Sequence, residues 1–428
     1  MNMTTEKMLT VQWGKETVGF LTPHRKGRVK FSYAPEWIEK YNQPVSLSLP
    51  CTQEHFDAQK STSFFDNLLP EENMYKELCR EGRIDEADIY NFLRLFGQEC
   101  AGALTIFPER KPEAPNAHDY RDITNELEAL LERHQGMPQN SLIVETKARL
   151  SIAGAQNKLP IHMENGRFFV PEDGSYAPTT AILKPMAVRF PDLHRNELFC
   201  MELARKAGLQ TPDAEILHIG NQQAYVVMRY DRQQSESGVM RIHQEDFCQA
   251  LGISRVLKYQ ENGGPDFAAC GKILLHPLIS RNDEAREDFI KCAIFNYVIG
   301  NCDAHGKNFS LLYQWGQGVY LAPFYDLVST MAYPGLDQKF AMSIGKTFRF
   351  DRIAEHSWKQ FAMDVNIRVE RLYLLMEEIH KSVQATLEPL IAGHEQLYGT
   401  SQIYETLSSV VMNGLNLIGN IIDSGSKH

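Results

Sequence analysis

Between residues 142 and 231 apolar residues tend to recur every second position, and beyond Asp231 they recur every third or fourth. A change from strand period to helix period within one chain restricts the fold more than any other feature. LSIAGAQNKLPIHM and GRFFVP are joined through Glu164-Asn165-Gly166, and Asn-Gly supplies the positive φ angles of a tight hairpin turn. TTAILKP predicts a short buried strand and HRNELFCMELARKAGL an amphipathic helix; AEILHIG, turned at Gly220-Asn221, predicts a hairpin with AYVVMRYD. A helix over Asp283 to Ile299 follows, with Phe289, Ile290, Ala293, Ile294, Tyr297 and Val298 on one face, and further helices lie between 350 and 422.

A small β-rich lobe carrying one helix, then a large helical lobe, is the chain order of a protein-kinase-like, bilobed α+β fold. Ahead of it stands an α/β domain. Leu9, Val11 and Trp13 alternate with polar residues, Gly14-Lys15 turns the chain, and Val18, Phe20, Val29, Phe31 and Tyr33 continue the period of two. Helical patterns follow in SFFDNLLPEENMYKELCREG and EADIYNFLRLFG, then a strand in AGALTIFP. The Pro-rich, charged segment 108–120 reads as an exposed loop, and a helix is expected from Asp122 to about His134. The expected domains are therefore 1–135, a nucleotide-binding β-rich lobe over 142–231, and a helical lobe over 232–428 that carries the catalytic loop.

Composition sets the environment and the partners. With 44 basic against 54 acidic side chains the net charge is -10, so the chain as a whole repels a bare polyanion. Lys346, Arg349, Arg352 and Lys359 supply limited phosphate contacts or simply a solvated helical face. No stretch approaches the roughly 18 uninterrupted apolar residues of a membrane span, and MNMTTEKMLT lacks the apolar core of a secretion signal, which makes the cytoplasm the expected location. The eight cysteines show no C-x-x-C spacing, so they are expected as reduced core residues, with Cys302 the one exposed enough to be accessible.

Behind the apolar helix, IGNCDAHGKNFS crowds Asp303, His305, Lys307 and Asn308 into six positions. Phosphoryl transfer needs a carboxylate to orient or deprotonate the nucleophile, oxygen ligands for Mg²⁺, and cations on the phosphates. Asp303 precedes Asn308 by five positions, the spacing at which a kinase catalytic loop places its carboxylate and its metal-binding asparagine. FSLLYQWGQGVYLAPFYD then predicts a hairpin ending in Asp326, which takes the place of the second metal ligand; Tyr325 and Leu327 flank it. Lys184 ends the apolar strand Ala181-Ile182-Leu183, where it either grips the α- and β-phosphates, paired with Glu197 on the next helix, or snorkels from a strand end. Ala153, Gly154, Ala155, Gln156, Asn157 and Lys158 occupy the place of a glycine-rich loop, with small residues that admit a phosphate to the backbone; an ordinary bulged strand is the competing reading. Met228, Arg229 and Tyr230 fall where a hinge between lobes meets adenine, or are plain strand core. His305, Gly306, Lys307 and Tyr325 complete the expected nucleotide site. D-x-H-x-x-N looks more like the loop of phosphoinositide-kinase-like enzymes, with His305 orienting Asp303 or a phosphate. A zinc site of Cys302, Asp303 and His305 is the weaker alternative, since no spaced partner histidines accompany it.

Taken with SLSLP (46–50), FFDNLLP (64–70), SIAGAQNK (151–158), NE (196–197), RYDR (229–232), QEDFCQALG (244–252), KYQENGGP (258–265) and PFYD (323–326), these pieces resemble, in order, the HipA-type serine/threonine kinase toxins of bacterial toxin–antitoxin modules. The last hundred residues carry no such motif. The resemblance implies an ATP- and Mg²⁺-dependent kinase that phosphorylates a serine of glutamate-tRNA ligase, stalls translation and favours dormancy. It implies a HipB-type antitoxin dimer as partner, contact with operator DNA mainly through that antitoxin, and repression of the shared operon. It also implies inactivating autophosphorylation at Ser151; a phosphate adds nearly two negative charges among apolar neighbours and repels ATP. A small-molecule phosphotransferase on the same fold, or a catalytically weak co-repressor scaffold, are the rival expectations.

Overall fold

The computed structural model describes residues 8–70, 72–108, 119–136, 157–172, 175–236 and 238–425. The chain forms two compact units, one comprising Met1–Pro185, Leu217–Val256 and Leu312–Gln314, the other Met186–Ile216, Leu257–Leu311 and Trp315–His428.

In the first unit β1 (Leu9–Trp13), β2 (Glu16–Pro23), β3 (Val29–Tyr33) and β4 (Leu104–Pro108) make an antiparallel sheet in the order β3-β2-β1-β4. Its inward period of two buries Leu9, Val11, Leu21, Val29 and Ile106 completely. The helix Ala58–Phe65 lies against β3, started by Asp57, whose carboxylate accepts from the N–H groups of Gln59 and Lys60. Phe31 N donates to Ser61 Oγ at 2.9 Å, and Phe31, Phe64 and Phe65 fill the space between.

A second sheet runs β5-β7-β6-β8-β10-β9, with β5 at Tyr120–Asp122, β6 at Leu159–Glu164, β7 at Arg167–Pro171, β8 at Ala181–Pro185, β9 at Ala214–Ile219 and β10 at Gln222–Met228. The Asn165-Gly166 turn adopts the positive φ angles its sequence asks for, +51° and +73°. The helix expected from Asp122 starts instead at Leu127 and runs to Gly136. Residues 120–122 are a strand because Tyr120 stacks on His162, ring centroids 4.5 Å apart, and pairs with Pro171. Asp122 Oδ1 then accepts from Thr124 N at 2.8 Å, turning the chain before the helix. A segment expected to close the first domain thus supplies the edge of the next sheet.

A buried ion cluster sits inside this unit. Arg229 donates to Glu99 at 3.1 Å and to Asp231 at 2.7 Å, and Arg232 to Glu99 at 2.6 Å and to Asp231 at 2.9 Å. Burial by itself raises both carboxyls, but Arg229 and Arg232 pull Asp231 far below its ordinary value, and with Arg241 they lower Glu99 as well. Asp231 Oδ2 also accepts from Gly102 N, so the cluster ties the segment before β4 to the end of β10.

The second unit is helical. Asn282–Ile299 is packed by Val369–Tyr398 and Gln402–Gly425, and every residue from 289 to 299 except Lys291 is buried. A side chain at Gly414 would strike the Val298 carbonyl, so glycine permits the close helix crossing there. Tyr297 stacks on Phe350 at 4.8 Å and meets Trp358 edge-on at 5.5 Å. The helix Leu193–Lys206, expected within the β-rich lobe, packs in this unit against Val369–Tyr398. All eight cysteines are buried and free of disulfides. Among the described residues no helix is long and apolar enough to cross a membrane.

Candidate active site

The helix Asn282–Ile299 stops at Gly300, whose φ of +65° turns the chain into the loop that carries Asp303. That loop is held from several sides. Met331 N and Thr330 Oγ1 donate to Gly300 O, both at 3.1 Å, Cys302 N donates to Thr330 Oγ1 at 2.8 Å, and Ala341 N donates to Cys302 O at 2.8 Å. Cys302 is therefore buried, contrary to the accessible thiol expected, and burial pushes it up to about 11. Asp303 is exposed, and its Oδ1 accepts from the Tyr259 hydroxyl at 2.8 Å.

Gly306–Asn308 is a single 3-10 turn. His305 N donates to Asn308 Oδ1 at 3.1 Å and Asn308 N donates back to His305 O at 2.9 Å, so the asparagine is locked to the histidine backbone. The His305 ring is buried and meets the Tyr259 ring edge-on at 5.2 Å. Lys307 is buried too; its carbonyl accepts from the Tyr325 hydroxyl at 2.7 Å, which leaves Ser310 Oγ, 2.7 Å from the same phenol, as the donor to it.

Both strands expected after the loop form, at Ser310–Gln314 and Gly318–Leu321, and Ala322 N donates to Ser310 O at 2.8 Å to close the hairpin base. The chain then reaches Asp326, a non-glycine residue at φ +53°. Such a backbone persists only where its surroundings impose it. Asn301 does so in part: its amide reaches the Asp326 carbonyl at 3.5 Å, and its Oδ1 accepts from Asp303 N at 3.2 Å. One buried asparagine thus links the two candidate carboxylates through their backbones. Asn196 plays a similar part, exchanging two 2.9 Å hydrogen bonds with the Ser329 backbone just after Asp326. Glu197, its neighbour, is buried on the same helix.

In the first unit Lys184 is 6% exposed, with its ammonium 5.5 Å from the centre of the Tyr225 ring that pairs with it across β8 and β10. Leu159 pairs with Leu183, so Lys158, 5% exposed, falls opposite Lys184 on the same sheet face. Two lysines on adjacent strands are therefore buried in this sheet. Met228 is exposed; the Arg229 guanidinium is committed to the ion cluster, and Arg229 N donates to Thr180 O at 2.9 Å. Tyr230 is half-buried. Asn157 lies within the described residues; Ser151, Ala153, Gly154, Ala155 and Gln156 lie outside them.

Tyr259, Asn301 and Asn196 are the residues the sequence analysis assigned no role. Asn196, Tyr259 and Asn301 stand inside NE, KYQENGGP and IGNCDAHGKNFS, but their polar side chains have no chemistry of their own to single them out. Among the described residues no group of three or more His, Cys, Asp or Glu is placed to hold a metal ion, which removes support for the zinc alternative. Arg349 and Lys359 pair with Asp351 at 3.0 Å and Glu355 at 2.6 Å, so half of the basic residues suggested for phosphate contact carry a local counter-charge.

Residues 9–107 match the family model of the HipA N-terminal domain, and 150–387 match that of the HipA-like C-terminal domain. The chain is 38% identical to the protein named "Putative kinase Y4mE" of Sinorhizobium fredii, over 94% of each protein. It is 31% identical to the serine/threonine-protein kinase toxin HipA of Shewanella oneidensis over 74% of this chain and 73% of that one. Its fold matches a chain in the complex of Shewanella oneidensis HipA, HipB and operator DNA with a TM-score of 0.82, covering 97% of this chain and 99% of that chain at 24% identity. The kinase-like α+β fold expected from the sequence is the fold observed.

Proposed function

The chain belongs to the HipA family, and from that membership we propose that it is an ATP-dependent serine/threonine protein kinase acting as the toxin of a toxin–antitoxin pair. The observation that carries the reading is the joint placement of Asp303, Asn308 and Asp326 in one unit, with Asn301 bonded toward both carboxylate residues. Asp303 is the catalytic carboxylate that receives the acceptor hydroxyl's proton. Lys184 and Lys158 hold phosphate oxygens, and Met228 with the backbone to Tyr230 borders the base.

Magnesium fits the residues present. Asn308 Oδ1 has spent one lone pair on His305 N and keeps a second, and Asp326 is presented on a backbone conformation its own preferences do not favour. Asn308 and Asp326 would hold the ion, which when bound supplies neutralisation of phosphate charge. His305 and Lys307 are buried supports of that turn, and Gly306 and Tyr325 shape it.

The family resemblance extends the proposal to its targets: a serine of glutamate-tRNA ligase as acceptor, Ser151 as an inactivating autophosphorylation site, cytoplasmic action, and a HipB-type antitoxin dimer through which operator DNA is met. A net charge of -10 supports contact with DNA through a partner. Incubating the full chain with MgATP and mapping phosphosites by mass spectrometry, with Asp303→Asn as control, tests the reading. Phosphate on Ser151 or on added glutamate-tRNA ligase, absent with the variant, is the expected result. ATP binding without transfer to either polypeptide refutes it, in favour of a scaffold; label on a metabolite refutes it in favour of a small-molecule phosphotransferase.

A further inference from the structure

The connection from β2 to β3 reads His24-Arg25-Lys26-Gly27-Arg28, and Lys30 follows on β3, so four cationic side chains fall within seven positions of a chain whose net charge is -10. All four are exposed. Among the described residues none of these side chains is in an ion pair or a hydrogen bond. Arg281 and Lys381, also exposed, pair instead with Glu284 at 3.1 Å and Glu377 at 2.6 Å.

The turn that presents the four cations is fixed from both sides. His24 N donates to Arg28 O at 2.7 Å, Lys26 and Gly27 sit at φ +59° and +68°, and Pro23 pairs with Val29 as Thr22 does with Lys30. A side chain on Gly27 would overlap the Ala87 carbonyl, so glycine lets the turn rest on the loop before the helix Ile89–Phe96. Of the acids in that loop, Asp85 accepts from Ala87 N at 2.8 Å, and Asp88 accepts from Asn91 N at 3.0 Å and Asn91 Nδ2 at 2.6 Å. Both are turned to their own chain, which leaves Glu86 against four cations.

Strand alternation puts Arg28 and Lys30 on one face, about 7 Å apart, with Val29 buried between them. A nucleic-acid duplex carries a phosphate about every 3.4 Å along each strand, so a short row of cations meets several phosphates in any register. Carboxylates on a folded protein offer no such continuous line. Among the described residues before Val188 no large apolar side chain is exposed, so the turn has nothing to sink into a bilayer. The acidic balance of the rest of the chain does not cancel the row, because at about 0.15 M salt charges beyond about 8 Å are largely screened.

We propose that the β2–β3 turn is a sequence-independent contact for the phosphate backbone of a nucleic acid, made by Arg25, Lys26, Arg28 and Lys30. It reads no base, and it does not depend on the kinase reading.

The test measures binding of the full-length protein to fluorescent duplexes of random sequence, one DNA and one RNA, each about 20 base pairs, by anisotropy between about 50 and 200 mM NaCl. With four phosphates engaged the parent should lose about a hundredfold in affinity over that range. Replacing all four cations by glutamine should leave the melting temperature unchanged and flatten the slope of log affinity against log salt by about 3 to 4; Arg28→Gln with Lys30→Gln, both at plain extended backbone, should remove about half of that. Such flattening on either duplex supports the proposal, and the tighter of the two names the nucleic acid. A slope that is the same in the parent and in both variants overturns it, as does absence of binding to both duplexes at about 50 mM NaCl. If the parent binds neither duplex but binds vesicles containing one-third phosphatidylserine, or self-associates in sedimentation, and the glutamine variant does not, the turn belongs to a membrane or to a second copy and the proposal falls.

Discussion

Replacing Arg229 by methionine separates a structural guanidinium from a nucleotide-binding one. Its side chain is 3% exposed, and it is bonded to Glu99, Asp231, Thr179 Oγ1 and the Cys100 carbonyl. Removing one partner of a buried ion pair costs about 3–5 kcal/mol when the other is left uncompensated. Here compensation survives. Three guanidinium groups face Glu99 and Asp231; with Arg229 gone, Arg232 still reaches both carboxylates at 2.6 and 2.9 Å, and Arg241 lies 4.0 Å from Glu99. The cost should therefore sit near the lower bound, about 3 kcal/mol. Glu99→Ala should cost more, about 5 kcal/mol, because it leaves three buried cations against a single carboxylate. Hydrogen exchange of the β8 and β10 amides under native conditions, at pH 7, reads these losses within the first unit. ATP affinity, measured by calorimetry at a temperature where the variant is folded, should stay within about twofold for Arg229→Met. A cost below about 1 kcal/mol, a reversed order of the two variants, or a tenfold loss of ATP affinity would refute the assignment of this side chain to the fold.

Glu245 predicts a pH dependence. It is fully buried, burial pushes it up to about 7, and the Tyr313 hydroxyl and Leu47 N, bonded to Oε1, offset this only partly. The folded state thus binds this proton more tightly than the unfolded chain, so its contribution declines as pH rises from about 4.5 to about 7 and is flat above. Glu245→Gln should remove that decline, roughly 3 kcal/mol over the window. His243, pushed down to about 4 by burial, gives the opposite slope in both proteins, so the difference between their urea unfolding curves at pH 5 and pH 8 isolates Glu245. Asn301→Ala frees the backbones of both Asp303 and Asp326 and should lower kcat about a hundredfold at saturating MgATP; activity within threefold of the parent would deny Asn301 that role. Lys184→Met should weaken ATP binding at least about tenfold by calorimetry, the loss of one charge-assisted hydrogen bond, and unchanged affinity would return Lys184 to a strand-end lysine.

Much of the site was legible because its chemistry is local in sequence. The five-residue spacing of Asp303 and Asn308, the hairpin to Asp326 and the lysine ending Ala181-Ile182-Leu183 are each contained in a short window, where turn chemistry and periodicity act. The Asn165-Gly166 hairpin and the helix ending at Ile299 were readable for the same reason. The sequence by itself therefore determined the order of elements and the candidate groups they carry. The tertiary structure decided what holds those groups still. Tyr259 lies 44 positions from Asp303, Asn196 lies 133 from Ser329, and Glu99 lies 130 from Arg229. Residues 120–122 became a strand because β7 offered a partner and His162 a ring to stack on, which no window around Asp122 contains. Local preference chooses an element, but a buried polar group is satisfied by whichever donor or acceptor packing brings to it, and that depends on the whole chain.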